Sequence, residues 1–236
     1  MNDESALAPT PLCADAGTSW FSKSQPADRL SLMVGLVSRF NHDLRTPLNT
    51  ISGWTHLLQQ TAVDAARTRH VSEVFARNVR EETLLLEEFV DDARVLLGVL
   101  VLERVDVTAP ELLAAAGDRL APALDIHEVR LDGSAIEPID VTLSADRSRT
   151  TRLIYRLLLA AVRRAPEGAT VHQRAAVIGK KLLVDVQAPT QRPAFENGAL
   201  LDLRIASAVA QLAGGTLEVA VPDHRTHFRL QLPLGR

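Results

Sequence analysis

Two runs of apolar residues, spaced by threes and fours, constrain this chain more than any other feature. Between residues 28 and 61 they fall at Met33, Val37, Phe40, Leu44, Leu48, Ile51 and Leu58. A second run follows at Val71, Val74, Phe75, Val79, Leu85, Leu86, Phe89, Val90, Ala93, Leu96 and Leu97. Steps of three and four keep side chains on one face of a helix, so each run predicts one long helix with an apolar seam. Residues 61–64 supply a turn, with Asp64 as the N-cap of the second helix. The opposite face of that helix is charged, with Arg77, Arg80, Glu81, Glu82, Glu87, Glu88, Asp91 and Asp92, and reads as solvated. A single antiparallel hairpin buries two seams poorly. Two hairpins packed as a four-helix bundle bury them well, so a homodimer is expected.

Beyond about residue 103 the pattern changes to short alternations typical of strands. They occur at 105–107, 128–131 and 139–143, then at 170–178, 181–187, 216–221 and 227–234, with helical runs at 110–120, 149–164 and 201–213. The expected fold is α + α/β: a helical hairpin forming a dimeric four-helix bundle, followed by an α/β sandwich with helices on one face of a mixed sheet. Three segments result: a flexible tail at 1–25, the hairpin at 26–103 and the sandwich at 104–236. A hydrophobic share of 46% with only 4% aromatics fits a core of Leu, Val and Ala. The net charge of −3 leaves no electrostatic footprint for nucleic acid. The one cysteine, Cys13, allows no internal disulfide. The apolar run at 93–102 is too short to span a bilayer and contains Arg94, and the N-terminus lacks a signal-peptide pattern, so a cytoplasmic protein with no membrane span is expected. His224 and His227 lack a third ligand, and His56 and His70 near the hairpin tip read as solvated, so no metal is expected.

Within the first helix stands the stretch RFNHDLRTPLNTISGWTHLL, residues 39–58. His42 precedes Asp43, an arrangement in which one ring nitrogen attacks while a carboxylate holds the other. His42 lies two residues past the seam position Phe40 and so faces away from the seam. Arg45 offers charge neutralisation for phosphoryl chemistry. Thr46 lies one turn along on the same face. Pro47 cannot donate the helical bond to the carbonyl of Asp43, which predicts a bend there.

The run His42-Asp43-Leu44-Arg45-Thr46-Pro47-Leu48-Asn49 resembles the phosphoacceptor box of bacterial sensor histidine kinases. That resemblance implies phosphorylation on His42, an acidic helper in Asp43 and a role for Thr46 in dephosphorylating a response regulator. It also implies receiver domains docking near Arg39, Arg45 and Asn49. The second half resembles the family's ATP-binding sandwich at 145–149, at 214–219 and at 226–234. Its nucleotide boxes depart from the family. Arg156 and Ala160 stand where asparagines are expected; Ala188-Pro189-Thr190 replaces an Asp-x-Gly-x-Gly box, with Asp185 one step early and expected to face solvent. Leu200, Leu201 and Asp202 stand in the phosphate-cradling turn, and residues 190–198 are short for a lid. Binding of ATP and magnesium is therefore expected to be lost, leaving no cofactor. The pattern resembles dimeric histidine phosphotransferases of the ChpT type. It implies a phosphotransferase without ATP-dependent autokinase activity, relaying phosphoryl groups on His42 between receiver-domain aspartates, with an upstream hybrid kinase as source. The alternatives are a divergent ATP-dependent sensor histidine kinase and a non-catalytic regulator that binds a kinase or response regulator.

Overall fold

The computed structural model describes residues 26–60, 64–136, 139–191, 195 and 197–235. The segment read as a tail at 1–25, with Cys13 in it, lies outside the described residues, as do most of the turn at 61–64 and residues 192–194 and 196 of the short lid. The chain divides into two units, one holding Ser24–Leu100 and the other Val101–Arg236.

The first unit is a helical hairpin of α1 (Pro26–Gln60, 35 residues) and α2 (Ala65–Leu97, 33 residues). Asp64 caps α2 by accepting from Arg67 N at 2.7 Å, and Gly98 closes it in the left-handed region at φ 72°. Phe40 stacks on Phe89 with centroids 4.2 Å apart, while Trp54 meets His70 edge-on at 5.4 Å, so the two helices run antiparallel. The buried line differs from the seam expected from spacing. Leu36 and Pro47 are buried, whereas Val37 and Leu48 are exposed. On α2 the buried apolar residues are Val71, Val74, Val95 and Leu96, and Val79, Leu86, Val90 and Leu97 are exposed. Each helix thus carries two apolar stripes, and the hairpin covers one. The helix α1 is continuous through Pro47, whose ring is packed into the hairpin.

The second unit runs β1 (Val105–Thr108), α3 (Ala109–His127), β2 (Arg130–Ile136), β3 (Thr142–Ala145), α4 (Arg147–Val162), β4 (Thr170–Ile178), β5 (Lys181–Pro189), α5 (Asn197–Leu212), β6 (Thr216–Ala220) and β7 (Arg225–Pro233). Five strands form one mixed sheet in the order β2-β4-β5-β7-β6, and β1 pairs with β3 apart from it. Only the β2–β4 pair of that sheet is parallel. One face is mostly apolar: Val171 and Ala175 of β4, Leu182, Val184 and Val186 of β5, and Phe228, Leu230 and Leu232 of β7 are all buried, with Gln173 and Thr226 buried among them. Helices α4 and α5 pack on this side with Ile154, Leu157, Leu158, Ile205 and Ala208, and the core is aliphatic, as the composition implied. Helix α3 is longer than its apolar pattern, because a capping box between Thr108 and Glu111 starts it and Glu128, at φ 51°, stops it.

Asp146 fastens α4 to the segment that leads into β1. It caps the helix through Arg149 N, pairs with the Arg149 guanidinium and accepts from Glu103 N at 3.0 Å. Burial works to raise its pKa, but these hydrogen bonds to the charged form outweigh it and hold the carboxyl below its ordinary value.

Gly215, at the entry to β6, is needed for close approach rather than for its dihedrals. A Cβ there would lie 2.1 Å from the carbonyl oxygen of Gln231. Gly117, inside α3, has nothing within 4 Å of such a Cβ. Gly215→Ala must part β6 from β7 and is expected to cost about 3 kcal/mol, the upper end of ordinary overpacking. Gly117→Ala should stabilise by up to about 1 kcal/mol. Thermal melts of both variants check this; a Gly215→Ala melt that coincides with wild type would refute the close approach.

Candidate functional site

His42 projects from the middle of α1 with 82% of its side chain exposed. Its Nδ1 lies 3.2 Å from Oδ1 of Asp43. With the Nδ1 proton donated to that carboxylate, the neutral ring keeps its lone pair on Nε2, the nitrogen left for attack. The packing behind the ring is firm. Phe40, two residues earlier, stacks on Phe89, and Pro47, five residues later, is buried. Pro47 thus presses the helix against α2 while giving up one backbone donor. One turn later, Thr50 donates its hydroxyl to the carbonyl of Thr46 at 3.1 Å.

Of the residues singled out from sequence, Arg45, Thr46 and Asn49 are exposed around the histidine. Arg39 is different. Its Nη2 donates to Oδ2 of Asp92 at 3.3 Å, across from α1 to α2. Asp92 is buried, so its place on a solvated face of α2 is corrected; Asn78 is also buried and donates to the carbonyl of Val74 at 2.8 Å. A carboxylate tolerates burial only when its charge is met, and Arg39 meets it here. Nothing in the local sequence signals this pair, because its members are 53 residues apart.

In the second unit the end of β5 is the other place of interest. Register pairs Ala188 with Thr226 of β7, and both are fully buried. Arg164, just past α4, donates its Nε to Thr226 Oγ1 at 2.9 Å. Its guanidinium lies over the ring of Phe195, 4.0 Å from the centroid, and Phe195 in turn sits 6.1 Å from Phe228. Arg156 and Ala160, at the positions where asparagines were sought, are both buried in α4. Residues 197–203 form the opening turns of α5, with Leu201 and Leu203 buried.

Asp185 departs from its expected exposure. It points to the sheet face away from the helices, yet its side chain is only 14% exposed. His227 Nε2 lies 3.0 Å from its Oδ1, and Arg229 Nε donates to the same oxygen at 3.1 Å. Burial works to raise the pKa of Asp185, but His227 and Arg229 override it and hold the carboxyl below its ordinary value. His227 therefore belongs to a cross-strand pair. His224, at φ 58°, belongs to the β6–β7 turn. Among the described residues no cluster of His, Cys, Asp and Glu is placed to hold a metal ion, and no helix is long and apolar enough to cross a membrane.

No protein-family model matches the chain. Its curated relatives are bacterial sensor histidine kinases. The probable sensor histidine kinase TcrY of Mycobacterium tuberculosis is 28% identical over 218 residues, covering 84% of this chain and 45% of TcrY. The chain spans from 15% to 55% of the length of the curated sensor proteins compared with it. Among solved structures, the Acinetobacter baumannii histidine kinase AdeS superposes with a TM-score of 0.56 at 17% identity, over 83% of this chain and 98% of that one. Histidine kinase ThkA in complex with the response regulator protein TrrA gives 0.53 at 18% identity, over 94% of this chain and 68% of that one. The fold, a helical part followed by an α/β sheet domain, is that of histidine kinases.

Proposed function

We propose that the chain is a histidine phosphotransfer protein of a two-component phosphorelay. His42 takes a phosphoryl group from the aspartyl phosphate of one receiver domain and gives it to the aspartate of another. The observation that carries this reading is the pairing of a solvent-facing His42 with Asp43 through Nδ1, in a box that resembles the phosphoacceptor sequence of sensor kinases. In the transfer, Nε2 attacks phosphorus and the N–P bond forms as the P–O bond to the aspartyl carboxylate breaks. The carboxylate leaves with the bonding pair, and the Nδ1 proton stays on the ring against Asp43. The reverse step delivers the group to the next receiver. The similarity of the fold to ThkA, a kinase seen with a response regulator, supports a receiver domain as partner. The second apolar stripes, on α1 at Leu30, Val34, Val37 and Leu48 and on α2 at Val79, Leu86 and Val90, support pairing of two hairpins into a homodimeric bundle.

ATP does not fit the residues present in the second unit. At the end of β5, where the resemblance places adenine recognition, Arg164 lies on Phe195 and binds Thr226. At the start of α5, where phosphates would be cradled, buried leucines and Asp202 stand in regular helix. The fold holds together through its aliphatic core without a nucleotide. A second reading, an ATP-dependent sensor histidine kinase, is favoured by the names of the relatives. Calorimetric titration with magnesium and ATP separates the two. The relay reading expects no saturable heat up to millimolar nucleotide, and a micromolar isotherm would return the chain to the kinases.

A further inference from the structure

We propose that the buried Asp92 of α2 is a positioning residue that holds Arg39, three residues ahead of His42, so that its guanidinium meets the phosphoryl group in transit. This rests on the reading of His42 as the phosphoryl carrier. The step leaves negative charge on three equatorial oxygens of the moving group, and a fixed cation beside them lowers the barrier. Two arginines flank His42 at three residues either way, Arg39 and Arg45, and side chains at that spacing are neighbours on a helix. They differ in how they are held. Arg45 is exposed. Arg39 has a side chain 26% exposed, and its Nη2 is anchored at 3.3 Å on a carboxylate that is itself 2% exposed.

An unanchored arginine loses rotamer entropy when it meets an anion, a large cost for so long a side chain. An arginine already fixed by a buried carboxylate has lost it on folding. The planar guanidinium has five donors, so being held by Asp92 is compatible with donation to phosphoryl oxygens. A buried ion pair that served the hairpin alone would add little stability over a well-packed apolar pair.

The test uses the full chain and compares Arg39→Met, Arg39→Lys and Asp92→Asn. Arg39→Met keeps the aliphatic stem and removes the charge. Transfer from a phosphorylated receiver is expected to slow tenfold to about a hundredfold in kcat. Arg39→Lys should recover much of the rate, and Asp92→Asn should fall between Arg39→Met and wild type although Arg39 is still present. The same series is run with phosphoramidate, which phosphorylates histidine without a receiver. A wild-type chain that accepts from phosphoramidate and from no receiver would defeat the relay reading, while the phosphoramidate rates still decide the role of Arg39. A wild-type rate in Arg39→Met, a loss confined to KM, or a loss that Arg39→Lys does not relieve would overturn the proposal. So would variants that melt at lower temperature yet transfer normally per folded molecule, since that is the signature of a purely structural pair.

Discussion

His42→Ala removes all phosphoryl acceptance: label delivered by a phosphorylated receiver is expected to fall to background, a loss of more than about a thousandfold. The ring is the covalent nucleophile of the proposed reaction, and no neighbouring side chain can replace it. Asp43 and Asn49 carry no comparable nucleophile, and among the described residues no base is set against the Thr46 hydroxyl. The substitution should leave the fold alone, because His42 is 82% exposed and its only polar contact described is with Asp43. An unchanged circular dichroism spectrum and melt accompany the expected result. Asp43→Asn is the graded partner of this test. It keeps the shape but favours the wrong ring tautomer, and a loss of about a hundredfold is expected. A His42→Ala protein that still takes label would place the acceptor elsewhere.

The second large effect concerns assembly. Val37 lies on the uncovered stripe of α1, and Val90 on that of α2. In an isologous dimer each position is buried twice. Val37→Glu therefore loses apolar burial at two sites, about 2 kcal/mol each, before counting the desolvation of two carboxylates. The sum of about 4 kcal/mol weakens dimerisation roughly a thousandfold. Sedimentation equilibrium is expected to show a wild-type dimer and a folded Val37→Glu monomer at the same concentration. Leu36→Glu, one residue away but inside the hairpin, should instead unfold the chain. A monomeric wild type, or a Val37→Glu dimer of unchanged affinity, would remove the second stripe from the account.

The pattern of successes and misses in the sequence reading follows from how far each signal reaches. Apolar spacing placed both long helices, and Asp64 caps α2 as its position implied. Alternation placed β4 and the β5 and β7 strands, because residues two apart share a face. The seam read from spacing joins two adjacent apolar stripes for a physical reason: spacing alone cannot tell which stripe the hairpin closes over. Phe40 packs inside the hairpin beside Leu36 and Pro47, whereas Val37 and Leu48 lie on the stripe that a single hairpin leaves uncovered. Proline is read as a breaker of helices, yet Pro47 serves here as a buried packing residue inside a continuous helix. Charged residues misled in the same way. Asp92 sits in an acidic run that looks solvated, and its burial depends on Arg39 in the other helix. Asp185 is covered by His227 and Arg229, which reach it only through the pairing of β5 with β7. Long-range ion pairs of this kind leave no local trace in sequence.

Arg164 extends the lesson to the nucleotide question. Missing asparagines and glycines mark which residues of the resembled boxes are absent; the packing of Arg164 against Phe195 and Thr226 is a tertiary feature with no local sequence signal. A guanidinium on Phe195 and a hydrogen bond to Thr226 are positive features, and they support the proposed loss of ATP binding through packing as well as through absent contacts.

The measurement that bears most directly on the whole account is a comparison of two phosphoryl donors on one protein. The chain is incubated with radiolabelled ATP and magnesium, or with a receiver domain already phosphorylated on its aspartate, and acid-labile label on His42 is counted. The account predicts label from the receiver, none from ATP, and none from either donor with His42→Ala. Robust label from ATP alone would contradict it and make the chain a kinase.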